Sequence, residues 1–167
     1  MSDIERILFF VGRALVGLFL ILMGMNHFGN LQQMTVNVAE VGLPAPMVAV
    51  IISGVLLVLA GVSFLLGFQP PIGVLAAALF FVPVTLVMHD FWAIQEPMAR
   101  QEEMMTFLRN FALFGATLMF LAIPRPWPFS LDQYLQEQGY TSFSSSSEAE
   151  YESTAVYERD DDVEHPA

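Results

Sequence analysis

The sequence predicts an all-α integral membrane protein, a four-helix up-down-up-down bundle followed by a disordered acidic C-terminal tail. Three observations carry this. Hydrophobic residues make up 55% of the 167, too many for a soluble domain of this size. Four apolar runs approach the roughly 20 residues that a helix needs to cross a bilayer. Beyond residue 141 the chain turns to serine, aspartate and glutamate, a composition that buries too little apolar surface to offset its chain entropy.

The first run, 7–25, follows Ser2-Asp3-Ile4-Glu5-Arg6, whose net negative charge and lack of a small-residue cleavage site argue for a retained span rather than a signal peptide. Residues 29–45 mix Asn30, Gln32, Gln33, Asn37 and Glu40 with Leu31, Met34, Val36 and Val41, which fits an interfacial helix or a re-entrant segment. Pro44 and Pro46 precede the second run, 47–66, where a missing amide hydrogen costs nothing. That run has no polar stripe at helical spacing, as a soluble bundle would require. Gln69-Pro70-Pro71 makes a tight turn into the third run, 72–88, which Pro83 is expected to bend. Pro124, Pro126 and Pro128 stop the fourth run, 104–123, with Arg125 and Trp127 in positions suited to interfacial anchors.

Small residues recur where spans must approach closely: Gly17 and Gly24, Gly54 and Gly61, Ala76 to Ala78, and Ala112 with Gly115 and Ala116. Short connections between four spans put both termini on one side. Residues 1–128 then form one membrane domain, and 129–167 a Ser-rich acidic tail, largely disordered from about 141. Arginines near the span ends favour cytoplasmic termini by one residue, so the location expected is a cell membrane crossed several times.

Composition removes whole classes of chemistry. Cysteine is absent, which excludes disulfides, thiolate metal sites and a cysteine nucleophile. All six basic side chains are arginine, and the net charge is −11, so a polybasic surface for nucleic acid is not available. Residues 141–167 hold eight acidic residues against Arg159, which is −7 of that total. Such an acidic, lysine-free chain suits a high-salt cytoplasm, although a GC-rich genome also favours arginine.

The polar interruptions of the spans mark the candidate site. His27 closes the first span, His89 and Asp90 close the third, and Arg109 and Asn110 lie near the start of the fourth, so all fall toward the side opposite the termini. An arginine at mid-span costs about 3 kcal/mol on insertion scales and faces a partner or water. Arg109 reaches the loop side or pairs with Asp90. Arg13 is a buried charge in the first span or snorkels to the terminal side. Asp90, at the negative end of a helix dipole, is compensated by Arg109 or a protonated His89, or else caps a short helix. Phe91 and Trp92 stack on a bound ring or belong to the aromatic belt. His27 and His89 have no HxxxH or ExxH spacing, so no metal site is expected. Neutral imidazole beside aromatics in an apolar cavity suits the carbonyl of a quinone headgroup better. The candidate ligand-binding residues are therefore His27, His89, Asp90, Trp92, Arg109 and Asn110.

These motifs in this order resemble the DoxX family of small four-span membrane proteins. The likeness runs from about Glu5 to Ile123. It rests on Arg13-Ala14-Leu15-Val16-Gly17-Leu18-Phe19 with Gly24, His27 and Phe28, on Gly42-Leu43-Pro44, on Gly54 to Gly67, on His89-Asp90-Phe91-Trp92, and on Phe107-Leu108-Arg109-Asn110-Phe111-Ala112-Leu113. The resemblance implies a membrane subunit associated with redox chemistry, because the family takes its name from a quinone-linked thiosulfate-oxidising enzyme. Leu57 departs from it, since many relatives carry glutamate there. The resemblance extends to four-helix thiol–quinone reductases, whose mechanism the lack of cysteine excludes. The function expected is a redox-associated subunit that binds a lipid-soluble ligand, with a quinone the favoured one. No cofactor motif is encoded, so a redox partner subunit or bound flavin would supply electrons. The alternative is a non-catalytic membrane carrier or assembly module. The bilayer is the certain partner, and a homo-oligomer is compatible with the small-residue faces.

Overall fold

The computed structural model describes residues 1–139, and every element among them is helical. The acidic tail expected from about residue 141 lies outside the described residues. In order the helices are α1 (Asp3–Gly29), α2 (Leu31–Glu40), α3 (Pro46–Leu66), α4 (Pro70–Met88), α5 (Pro97–Met119) and α6 (Leu131–Glu137). Single 3₁₀ turns, Phe91–Ala93 and Phe120–Ala122, flank α5. Helices α1, α3, α4 and α5 are long and apolar enough to cross a membrane. Helices α1, α3 and α4 contain the first three apolar runs read from the sequence, whereas α5 starts seven residues before the fourth run and ends inside it at Met119, where the Phe120–Ala122 turn takes over. Ser2 and Glu5 form a capping box that starts α1, and Glu96 caps α5 by accepting from Met98 and Ala99.

Helices α1 and α3 make the closest pair, and glycine is the reason. A methyl at Gly17 would lie 2.8 Å from the Gly61 carbonyl, and one at Gly24 2.8 Å from the Gly54 carbonyl. As α1 advances from 17 to 24, its partner recedes from 61 to 54, so the two run antiparallel. Lipid tails are as apolar as leucine, and close backbone approach rather than hydrophobic exclusion holds such spans together. Gly115 on α5 has nothing within 4 Å of an added methyl, so no close helix approach is made there among the described residues.

The core lies between α1, α3 and α4, with Leu20, Leu57, Phe64 and Phe81 fully buried, and the end of α5 closes it through Phe120. Trp127, expected at the membrane interface, is instead 1% exposed. Its ring meets Phe9 edge-on at 5.1 Å and Phe120 at 5.3 Å. The chain after α5 turns back over the bundle, and that return carries the indole inward.

What holds this return is Arg13, which is fully buried. Its guanidinium donates to the carbonyls of Phe64 at 3.1 Å and Pro128 at 3.3 Å, and also to that of Phe129. It lies 5.2 Å from the Phe10 ring and 5.8 Å from Trp127. These carbonyls come from the end of α3 and from a proline-rich segment, places where helical donors run out. Gly67 ends α3 with φ 62°, and a side chain there would strike both Arg13 and Ser130. The segment assigned to the tail from residue 129 therefore begins with structure. Ser130 caps α6, and the Asp132 carboxylate accepts from the Gln69 amide at 3.1 Å.

Replacing Arg13 by Leu strands three carbonyls in an apolar setting and should destabilise the detergent-solubilised protein by about 3 kcal/mol or more in a denaturant titration. Unchanged stability would contradict this account of the guanidinium. Burial raises the Asp132 carboxyl above the ordinary carboxylate range, against the opposing pull of the Gln69 amide and of Arg125. The folded state thus holds this proton more tightly than the unfolded chain. Asp132 contributes stability that is full below its ordinary value and lost as pH rises through the raised one. Asp132→Asn should flatten the stability curve across that acid range, and a superimposable curve would disprove the assignment.

Candidate functional site

At the end of the bundle away from Arg13, the helices part around a polar cavity of about 250 Å³. Its lining comes from five helices and the segment after α4. Met23 and His27 belong to α1; Met34, Asn37 and Val38 to α2; Val50 and Ser53 to α3; Phe80, Val84 and Met88 to α4, followed by His89; Thr106, Arg109 and Asn110 to α5. Four of the sequence candidates, His27, His89, Arg109 and Asn110, thus share one cavity. The topology brings them together because His27 and His89 end α1 and α4 on the same side, where α5 begins its return.

Each group is positioned by a local cause. The His27 Nδ1 lies 2.9 Å from the Met23 carbonyl one turn earlier. A carbonyl cannot donate, so Nδ1 carries the hydrogen and the neutral ring keeps its lone pair on Nε2. The ring packs edge-on against Phe80 at 5.7 Å. His89 Nδ1 lies 2.7 Å from Glu103 Oε2, which links the end of α4 to the second turn of α5. Asn110 is 5% exposed. Arg109, by contrast, has no hydrogen bond, ion pair or ring partner among the described residues.

Two candidates fall outside the cavity. Asp90 lines none of it and makes no ion pair with Arg109 among the described residues. It precedes the Phe91–Ala93 turn without capping it through its side chain. Glu103 takes the histidine instead, since α5 starts at Pro97 and its first turns carry Arg100, Glu102 and Glu103 up to the end of α4. Trp92 is 52% exposed and packs on Phe91 and Phe107 at 5.2 and 5.9 Å, an aromatic cluster beside the cavity rather than within it.

Sequence reading passed over Ser53 and Thr106. Ser53 was legible as the one hydroxyl in the first half of an apolar span. Thr106 and Glu103 carry no local signal, because their roles depend on how far α5 extends. Leu57 is fully buried in the core beside Gly24 and does not line the cavity. No group of three or more His, Cys, Asp or Glu side chains converges as a metal site would among the described residues.

The arrangement offers donors from Arg109, Asn110, Asn37 and Ser53 and an acceptor at His27 Nε2 among apolar side chains, while the Thr106 hydroxyl donates to the Glu102 carbonyl at 3.2 Å. These features define a multi-pass membrane protein with a polar cavity at one end of its helix bundle. The chain belongs to the DoxX family, whose model matches residues 8–90. That match spans α1 to the end of α4 and stops short of Arg109 and Asn110. No curated protein and no solved structure matches the chain.

The Ala99 and Met98 amides, in that order of influence, hold the exposed Glu96 carboxyl below the usual range. This cap steadies the start of the helix that carries Arg109 and Asn110. Its contribution is present above the ordinary glutamate value and lost as pH falls through the lowered one. The Ala99 amide resonance should titrate with a midpoint below that of an unperturbed glutamate. A midpoint at the ordinary value would remove the cap from the account.

Proposed function

We propose that the cavity binds the headgroup of a lipid-soluble ligand, with a quinone the best fit, and that the chain serves as the membrane subunit of a redox system. The observation that carries this reading is Arg109. A guanidinium without a partner among the described residues, beside a buried amide and a histidine with an open acceptor nitrogen, matches a ring bearing oxygens that gain charge and protons. Arg109 and Asn110 donate to a quinone carbonyl, and His27 Nε2 accepts from the hydroxyl of the reduced form. Electrons come from a partner subunit or a bound flavin, since no donor is encoded in this chain. On this reading the termini face the cytoplasm and the cavity opens outward.

A second reading, a carrier or assembly module without redox chemistry, draws support from α5. Among its residues Asn110 and Thr117 are buried, while Met105, Leu108, Phe111 and Met119 are exposed. Such a face suits another span, from a partner or a second copy.

Mass spectrometry of a solvent extract from the purified protein should find a stoichiometric quinone. Arg109→Leu should weaken quinone binding by about ten- to a hundredfold, the loss expected of a charge-assisted hydrogen bond, and leave the melting temperature unchanged. Equal affinity in the variant would overturn the quinone reading, and phospholipid alone in the extract would favour the carrier.

A further inference from the structure

The polar cavity shares a wall with a second hollow of different chemistry. An apolar cavity of about 240 Å³ lies between α3 and α4, where Ala49, Ile52 and Leu56 face Leu79, Pro83 and Val87. Ile52, Leu79 and Val87 are exposed on the membrane-facing surface of the bundle. Val38, Ser53, Phe80, Val84 and Met88 line both cavities. Phe80 is fixed, 3% exposed and held edge-on by His27 at 5.7 Å and Phe81 at 5.1 Å. Met88 is different: an unbranched thioether at the last residue of α4 adapts readily to what lies beside it. Opposite it, Val38 sits on α2, a helix with no buried residue.

We propose that the apolar cavity holds the hydrocarbon chain of the ligand whose head occupies the polar cavity, and that the chain leaves between α3 and α4 past Met88 and Val38. This rests on the head-site reading above. Pockets for whole drug-sized ligands measure about 300–1,000 Å³. A polar cavity of about 250 Å³ therefore accommodates a substituted ring but not a chain as well. Each compartment matches one half of such an amphiphile, and the shared wall joins them. Two further apolar hollows, a groove between α1 and the end of α5 lined by Gly12 and Arg13 and one of about 70 Å³ between α4 and α5 lined by Phe81 and Phe111, share no residue with the head site.

The test compares two probes on the full-length protein in detergent: a dimethoxy-methyl benzoquinone with no chain, and the same ring with a decyl chain. Ala49→Trp fills the apolar cavity without touching the polar one. It should weaken binding of the decyl probe by about tenfold or more, equivalent to about 1.4 kcal/mol, and leave the chainless probe within about twofold. Leu79→Trp, on the facing helix, should do the same, and Gly12→Leu in the other groove should change neither. Decyl binding that survives both tryptophan variants overturns the proposed path. Equal loss of both probes in both variants overturns a separate chain site. A phospholipid acyl chain that stays in the groove beside bound decyl probe, seen by native mass spectrometry, also overturns it. If the wild-type protein binds neither probe, the head-site reading itself fails.

Discussion

A buried guanidinium that bonds to carbonyls rather than to a carboxylate fixes the closed end of this bundle. Arg13 joins α1 to the last turn of α3 and to the proline-rich return after α5, three segments far apart in sequence. In hydrocarbon a carbonyl without a donor is expensive, and such carbonyls accumulate where helices end and prolines intervene. Five hydrogens on a rigid planar fork let one side chain serve several of them at once, which an ammonium on a flexible stem does less well. Gly67, Trp127 and Ser130 then follow from the space that this group requires.

From that anchored end, the Gly17–Gly61 and Gly24–Gly54 contacts hold α1 and α3 in register along the membrane. The bundle is consequently asymmetric. Aromatic rings pack around Arg13 toward one end, and His27, His89 and Arg109 line a cavity at the other. Gly54 and Gly61 let α1 approach α3 closely, with Ile21, Leu57 and Val58 packed beside the backbone contacts.

Polar groups inside that opening behave differently from the same groups in water. Low dielectric strengthens each hydrogen bond offered to a ligand and raises the cost of leaving a donor unused. His89 spends its Nδ1 on Glu103 and His27 spends its own on Met23, so both rings are oriented before any ligand arrives. Arg109 has no such commitment among the described residues.

Hydropathy and proline punctuation in the sequence determined the four spans, because a bilayer imposes length and polarity limits that act locally. The same limits made His27, His89, Arg109 and Asn110 conspicuous, since polar side chains in spans are rare. The tertiary structure decided what those side chains meet. Glu103 rather than Asp90 pairs with His89, as α5 begins seven residues before its apolar run and carries acidic turns up to α4. Trp127 enters the core, and α6 forms where a tail was expected, because Arg13 captures carbonyls more than a hundred residues away in sequence. Ser53 and Thr106 join the cavity through helix rotation. Spans are written in local composition, but side-chain partners depend on register and rotation between helices, which hydropathy does not encode.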